Sequence, residues 1–170
     1  MLVAMQARLT EQVPELRWID QDFGQLEIDG QRPAVAFPCA LIDFPGSQFS
    51  QLQQNVELAD NCAINVRVGH DPYSNSNQLT PIDSREKALK YYELENKVYV
   101  ALKGWNPTFE YEAETYDLCQ PLNRIADATE KRDDSLRVRS LMFATSYEDA
   151  TANTALAAQQ ADLAIEYANE

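Results

Sequence analysis

Two stretches of the chain place apolar residues at helical spacing. In the first, apolar positions three or four residues apart predict an amphipathic helix over residues 2–13. In the second, a longer stripe predicts the main packing helix over residues 84–105, with Asp83 as its N-cap, Glu86 as the capping partner and Gly104 at its end. Each helix has one apolar face to bury against another layer.

Between the predicted helices the pattern is that of β-strands. The clearest alternation lies at residues 61–69, where the apolar set would face a core and the polar set the other side of a sheet. The apolar set is Cys62, Ile64, Val66 and Val68, and the other set is Ala63, Asn65 and Arg67. Residues 17–27 predict a further strand with a bend near Gly24. Residues 32–44 are apolar at nearly every position, which predicts a strand covered on both faces.

Turn-forming residues divide the rest of this region. The sequence FPGS at 44–47 predicts a turn, and residues 48–56 predict a glutamine-rich strand with one wet face. A long polar loop is predicted over residues 70–83. After the second helix, residues 106–117 predict a loop and then a strand, and residues 118–128 a strand that Pro121 interrupts. A charged tip at 130–134 would turn this strand into a last one over residues 135–149.

The order of these elements predicts an α+β fold. We expect a mostly antiparallel twisted sheet of about five to six strands, packed by two helices, with a C-terminal Ala-rich helix or tail. A chain of 170 residues, 45% of them hydrophobic, suits one domain with a core of its own. We therefore expect a single α+β domain over residues 1–150 and a helix or flexible tail over residues 151–170.

Charge narrows the classes of partner. The chain has 27 acidic residues against 14 Lys and Arg, a net charge of −13. Such a protein repels phosphate backbones, so we expect no specific nucleic-acid binding. No apolar run approaches the roughly 18 residues of a membrane span, so we expect no membrane contact. The three widely spaced cysteines, which form no CxxC motif, indicate buried thiols in a reducing compartment.

The residue types that carry chemistry form no familiar constellation. The single histidine, His70, stands directly before Asp71 and Pro72, which is typical of a loop start rather than of a base beside a nucleophile. Residues 20–30 follow a calcium-loop pattern in part, but the required glycine and the final glutamate are both replaced. No glycine-rich turn offers a phosphate cradle. We therefore expect no catalytic residue, no metal, no cofactor and no enzymatic activity.

Two clusters of like charge stand out. Glu110, Glu112 and Glu114 would share one strand face, either as a solvated acidic edge that discourages strand addition or, less favoured, as a weak site for a divalent ion. Five of the 14 basic residues lie within residues 124–139, at Arg124, Lys131, Arg132, Arg137 and Arg139. Either this charge keeps a strand edge soluble, or it forms a contact surface for an acidic neighbour such as another copy of the chain.

Three stretches taken in order carry a resemblance to a known family. They are RPAVAFPCALID early in the chain, ADNCAINVRVG before the loop and second helix, and PLNRIADATEKRDDSLRVRSLMFATSY near the end. In this arrangement the chain resembles the tail terminator (tail-completion) proteins of long-tailed bacteriophages and prophages over most of residues 1–148. The residues at matching places are Arg32, Pro33, Val35, Arg124, Asp133, Asp134, Val138 and Phe143. The long 70–83 loop and the end beyond residue 150 depart from the pattern.

The resemblance implies an architectural function. Subunits would close into a ring, typically hexameric, that ends the tail tube and joins it to the head. The partners would be other copies of the chain, the tail tube and head-completion proteins, in a virion assembled in the host cytoplasm. A head-to-tail ring needs two different surfaces on each subunit. We expect these to be the acidic face (Glu110, Glu112, Glu114) and the basic hairpin face (Arg137, Arg139), with the tip (Lys131, Arg132, Asp133, Asp134) as a contact element.

Other readings of the same residues stay open. A monomeric α+β module could bind one protein partner through an apolar patch that includes Trp105 and Phe109. A metal-dependent hydrolase could use the acidic stretches, and it would bind divalent ions tightly. Other connector proteins at the junction of phage head and tail share the features of the tail terminator hypothesis.

Overall fold

The fold is a five-stranded mixed sheet with helices on one face and a separate two-stranded sheet. The computed structural model describes residues 1–27, 33–53, 55–71, 77–111 and 114–152. The helices are α1 (Leu2–Gln12), α2 (Ile82–Ala88) and α3 (Lys90–Leu102), and the strands are β1 (Trp18–Gln21), β2 (Cys39–Gln53), β3 (Val56–His70), β4 (Thr108–Tyr111), β5 (Glu114–Asp117), β6 (Asn123–Thr129) and β7 (Arg137–Asp149). The predicted α+β class is confirmed.

The main sheet has the strand order β1-β2-β3-β7-β6. The pairs β2–β3, β3–β7 and β7–β6 are antiparallel, and only the short β1 runs parallel to its neighbour β2. The alternation predicted at 61–69 falls on the central strand β3, where Ile64, Val66 and Val68 are buried. The mostly antiparallel sheet is therefore as predicted.

The main core lies between the sheet and helices α1 and α3. The buried side chains that meet there include Met5, Leu9, Val98 and Leu102 from the helices and Ile42, Val66, Leu141 and Phe143 from the strands. The helical stripes of the sequence supply the first group, and the alternating strand positions supply the second. Among the described residues, none of the helices is both long and apolar enough to cross a membrane.

A second, smaller cluster covers part of the opposite face of the sheet. Its buried members are Leu26, Val35, Cys39, Leu41 and Val138. The segments on either side of residues 28–32 fold over this end of the sheet, so that Cys39 to Ile42 are buried from both faces. Gly69 is needed here, because a Cβ at this position would lie 2.8 Å from Cys39 Sγ.

Several predicted boundaries differ from the structure. The turn predicted at 44–47 is wrong, because β2 continues through Pro45 and Gly46 with register shifts in its pairing to β3. The strand predicted to begin at residue 32 begins at Cys39. The helix predicted over 84–105 is divided into α2 and α3, with Leu89 between them.

The helix caps also differ in part. Pro81 is the N-cap of α2 and no side-chain hydrogen bond caps the helix, so the predicted Asp83 and Glu86 capping pair is wrong. Gly104 follows α3 with a φ of +74°, and this conformation, which glycine adopts without steric cost, confirms the predicted stop.

The late hairpin is confirmed. Strands β6 and β7 pair antiparallel, with Thr129 opposite Arg139, and the charged tip 130–134 lies between them. β6 starts at Asn123, just after Pro121, rather than before it. The strand predicted within 106–117 is a hairpin of two short strands, β4 and β5. The C-terminal helix or tail predicted for 151–170 lies outside the described residues from residue 153 onward.

Candidate functional site

Arg137, at the start of β7, is paired inside its own subunit. It lies opposite His70 on β3, on the face of the sheet that the helices cover. Its Nε and Nη2 donate to Glu95 Oε1 and Oε2 of α3 at 3.0 and 3.2 Å. The guanidinium carbon also lies 3.9 Å from the ring centre of Tyr91. Its charge therefore joins the sheet to α3, which limits what it can offer to a neighbour.

The other basic residues of β6 and β7 also form ion pairs within the subunit. Arg139 Nη2 donates to Asp127 Oδ1 at 2.7 Å, and Arg124 lies 3.2 Å from the other oxygen of the same carboxylate. The Arg124 guanidinium lies 3.9 Å from the ring centre of Tyr99. These contacts balance the charge along β6, so the basic stretch of the sequence is not a uniformly positive surface in three dimensions.

A network of buried and half-buried charges, which we call the charged cluster, fixes the tip of the β6–β7 hairpin. Its members are Asp22, Glu27, Arg67, Glu130, Arg132 and Asp134. Arg67 projects from the centre of β3 with its side chain only 11% exposed, and it contacts Asp22 at 2.9 Å and Glu130 at 2.7 Å. Arg132 contacts Asp134 at 2.6 Å and donates to the carbonyl of Leu26. The cluster ties the tip to the segment after β1.

Hydrogen bonds in the charged cluster favour its ionised forms. Hydrogen bonds from Arg67 hold the pKa of Glu27 below its ordinary value of 4.5. Arg132 likewise lowers the pKa of Asp134, and the surrounding carboxylates, Glu130 first, raise the pKa of Arg67. The sequence indicated Arg67 only as a residue of the polar face of a strand. What it did not reveal is that acidic residues from two distant segments would converge on that face.

Of the predicted tip residues, Arg132 and Asp134 are held in the charged cluster, whereas Lys131 and Asp133 are exposed. The predicted acidic face does not form as expected. Tyr111 pairs with Glu114, and Glu110 pairs with Thr115. Since residues directly opposite share a face, Glu110 and Glu114 lie on opposite faces of the β4–β5 hairpin. Glu112 lies outside the described residues, as does Arg32 of the family resemblance.

His70 is buried at the end of β3, 3.7 Å from Glu95. Burial, and then the nearby charge of Arg137, lower its pKa to about 4, so the imidazole is neutral at pH 7. Asp22 lies in the partial calcium-loop pattern. Its carboxylate contacts Arg67 and accepts a hydrogen bond from the Gly24 backbone N–H at 2.9 Å. Within the ranges that the structure describes, His, Cys, Asp and Glu side chains form no group of three or more that could hold a metal ion.

The two aromatic residues predicted to share a patch have different surroundings. Trp105 packs against the main core, with the Arg8 guanidinium 5.9 Å from its ring centre. Phe109 is exposed on β4, where its ring stacks on that of Tyr116 at 5.4 Å between centroids. Of the two predicted residues, Phe109 is the one exposed to solvent.

On each side of the main sheet, part of the edge is an exposed strand segment. β1 pairs with β2 only at residues 39–42. Beyond residue 43, every residue of β2 from Phe44 to Gln53 is exposed. In the described part of the chain, no strand pairs with the outer side of this segment. We call the segment from Phe44 to Gln53 the β2 edge. Every residue of β6, at the other end of the strand order, is exposed as well.

The exposed edges carry apolar side chains. Phe49 and Leu52 on the β2 edge are each 53% exposed, and Ile125 on β6 is 61% exposed. The β2 edge is also unusual in charge, because no charged residue occurs between Asp43 and Glu57 in a chain that is 24% charged. Sequence analysis predicted a strand here, but the turn predicted at 44–47 concealed that the segment continues the edge of the sheet.

Comparisons with known proteins give likeness in structure only. No protein-family model matches the chain, and no curated protein matches it. A chain in a structure entitled "Virion of native gene transfer agent (GTA) particle" is similar with a TM-score of 0.43 and 11% sequence identity, over 88% of this chain and 95% of that chain. We base the functional proposal on this chain's own residues.

Proposed function

We propose that the protein is a non-enzymatic structural subunit of a tailed phage or prophage particle, and specifically a tail terminator that forms a ring at the end of the tail tube and joins it to the head. The observation that carries the proposal is the presence of two different exposed edges, the β2 edge and β6, at opposite ends of one sheet. The order of elements in the sequence supports the specific assignment.

A ring of identical subunits in head-to-tail contact needs two unlike surfaces that complement each other. The β2 edge and β6 meet this need, since each has apolar side chains in solvent and each lies on its own side of the subunit. The net charge of −13 suits a subunit that lines a channel for DNA. An acidic surface does not neutralise DNA phosphates, so DNA would pass without binding to it.

The charged contact predicted from the sequence stays a prediction, and the structure decides which variants test it. Reversing Arg137 would disturb the fold, because its partner Glu95 is buried, and reversing Arg139 would place a like charge beside Asp127 within the same subunit. Lys131 is exposed at the tip, so Lys131→Glu changes the contact surface alone. If the tip contacts a neighbouring subunit, this variant should assemble less well than the wild type at low salt. Unchanged assembly would remove the tip from the interface.

The direct test of function uses purified tail-tube subunits that polymerise into tubes in vitro. Tubes would be assembled with and without the protein and measured by electron microscopy, with bovine serum albumin as a protein control. We expect the protein to cosediment with tubes, to appear as a ring at one end and to shorten the tubes by stopping growth. Tubes of unchanged length with no cosedimenting protein would contradict the proposal.

A second candidate is a monomeric module that binds one protein partner. The exposed stack of Phe109 and Tyr116 favours it, because exposed aromatic pairs are typical anchors of protein contacts. This candidate predicts a monomer whose partner binding is lost in the variant Phe109→Ser. A head-to-tail ring does not depend on this hairpin, so ring formation by that variant would separate the two candidates.

A further inference from the structure

The β2 edge lacks part of the usual protection of an exposed strand. Natural edge strands avoid pairing with other chains by carrying charges, prolines or bulges. Pro45 and shifts of register protect the first part of the β2 edge, but from Gln48 to Gln51 the pairing with β3 is regular and no side chain is charged. An uncharged exposed edge with apolar side chains is a site where another strand can add.

β6 offers an edge on the other side of the subunit, where a register shift between Arg124 and Ala126 leaves Ala126 to Thr129 as its regularly paired part. In the described part of the chain it pairs only with β7, and all of its residues are exposed. Its two charged residues, Arg124 and Asp127, pair with each other at 3.2 Å, so the strand presents little net charge. The regularly paired part of β6, from Ala126 to Thr129, is as long as the regularly paired part of the β2 edge, from Gln48 to Gln51.

We propose that the β2 edge of one subunit pairs strand to strand with β6 of a second copy, so that the sheets continue from subunit to subunit. This inference rests on the proposed ring and specifies its contact. A second copy is the occupant because the two edges match in length and in lack of net charge, and because head-to-tail pairing in a closed ring leaves neither edge open. Pairing of two β2 edges would leave both β6 strands exposed.

Paired variants test the inference by sedimentation velocity. On the β2 edge, Ser50→Lys with Leu52→Lys places two charges on exposed positions, and the matched control Leu79→Lys with Ser84→Lys makes the same exchanges at exposed positions elsewhere. On β6, Ile125→Lys with Ala128→Lys is the corresponding variant. We expect the wild type and the control to form the same ring-sized species, and each edge variant to sediment as a monomer with an unchanged circular dichroism spectrum.

Mixing the two edge variants gives the sharper result. Each variant keeps one intact edge, so the mixture can form one β2–β6 contact and should sediment as a dimer, although each variant alone is a monomer. Ring-sized species from either edge variant, no dimer in the mixture, or a wild type that is monomeric at every concentration would overturn the inference. The tube assay described above is scored separately, so capping of tubes by an edge variant would reject this contact and leave the proposed function standing.

Discussion

The charged cluster makes a strong prediction about stability. In Arg67→Met an unbranched apolar side chain replaces a guanidinium that is 11% exposed and that contacts Asp22, Glu27 and Glu130. Removing one partner of a buried ion pair costs about 3–5 kcal/mol, because the other charge is left unpaired, whereas exposed pairs contribute about 0–1 kcal/mol.

The exposures decide where in this range the effect falls. Asp22, which is 10% exposed, and Glu130, which is 27% exposed, would lose the pairing that matters most for stability, whereas Glu27 is 50% exposed and adds little. We therefore expect a loss of about 3–4 kcal/mol of unfolding free energy at pH 7. Adding Asp22→Asn to Arg67→Met should recover part of the loss, because the unpaired carboxylate is then neutral. Arg17→Met, at an exposed position, is the matched control and should change stability by no more than about 0.5 kcal/mol.

The pH dependence gives a second signature. The pKa of Glu27 is lowered in the folded protein, mainly by its hydrogen bonds from Arg67. A carboxylate of this kind stabilises the fold above its unfolded pKa, and the stabilisation is lost as the pH falls through the folded pKa. The difference in unfolding free energy between the wild type and Arg67→Met should therefore become smaller below about pH 4.5, the ordinary pKa of a glutamate. Urea unfolding followed by circular dichroism measures both effects. A loss of unfolding free energy below about 1 kcal/mol at pH 7 would contradict this role of Arg67.

Two further predictions concern the sheet and its histidine. Gly69→Ala should lower the free energy of unfolding, measured in urea, by about 1–3 kcal/mol, because the new Cβ would lie 2.8 Å from Cys39 Sγ. The control Gly46→Ala should change it little, because nothing lies within 4 Å of a Cβ there. Equal effects of the two variants would contradict the packing around Gly69. His70 is the only histidine, so proton NMR can follow its titration without overlap. Its pKa should be about 4 rather than 6.5. Because the unfolded chain takes up this proton first, the contribution of His70 to stability should fall as the pH drops from about 6.5 to about 4. Titration near 6.5 would show that the imidazole is accessible.

The sequence predicted those elements whose periodicity is uninterrupted. α1 and the core of β3 follow from spacing alone, since burial of one face imposes a period on each. The β6–β7 hairpin follows instead from strand-forming residues on either side of a charged tip. The turn predicted at Pro45 and Gly46 was wrong because an edge strand needs no N–H donor on its outer side, so a proline is tolerated there. Local turn chemistry could not show that this strand lies at an edge.

The contacts of charged residues were predicted less well, for a physical reason. Glu110 and Glu114 have the spacing of one strand face, but the chain reverses between Tyr111 and Glu114, which places them on opposite faces. The guanidinium of Arg137 was expected to face a neighbour and instead contacts Glu95, which is remote in sequence. Ion pairs between residues remote in sequence depend on how helices and strands pack. A run of charged residues in the sequence does not indicate which elements will pack against it.

The absolute mass of the protein in solution shows whether its subunits form a ring. We would measure it by light scattering after size exclusion at low and high salt. We expect one species several times heavier than the 19.2 kDa chain, six times heavier for a hexamer, and a mass that salt does not change because uncharged edges form the contact. A ring that falls apart at high salt would replace the edge contact with a charged one. A monomer at every concentration and salt would contradict a self-assembling ring.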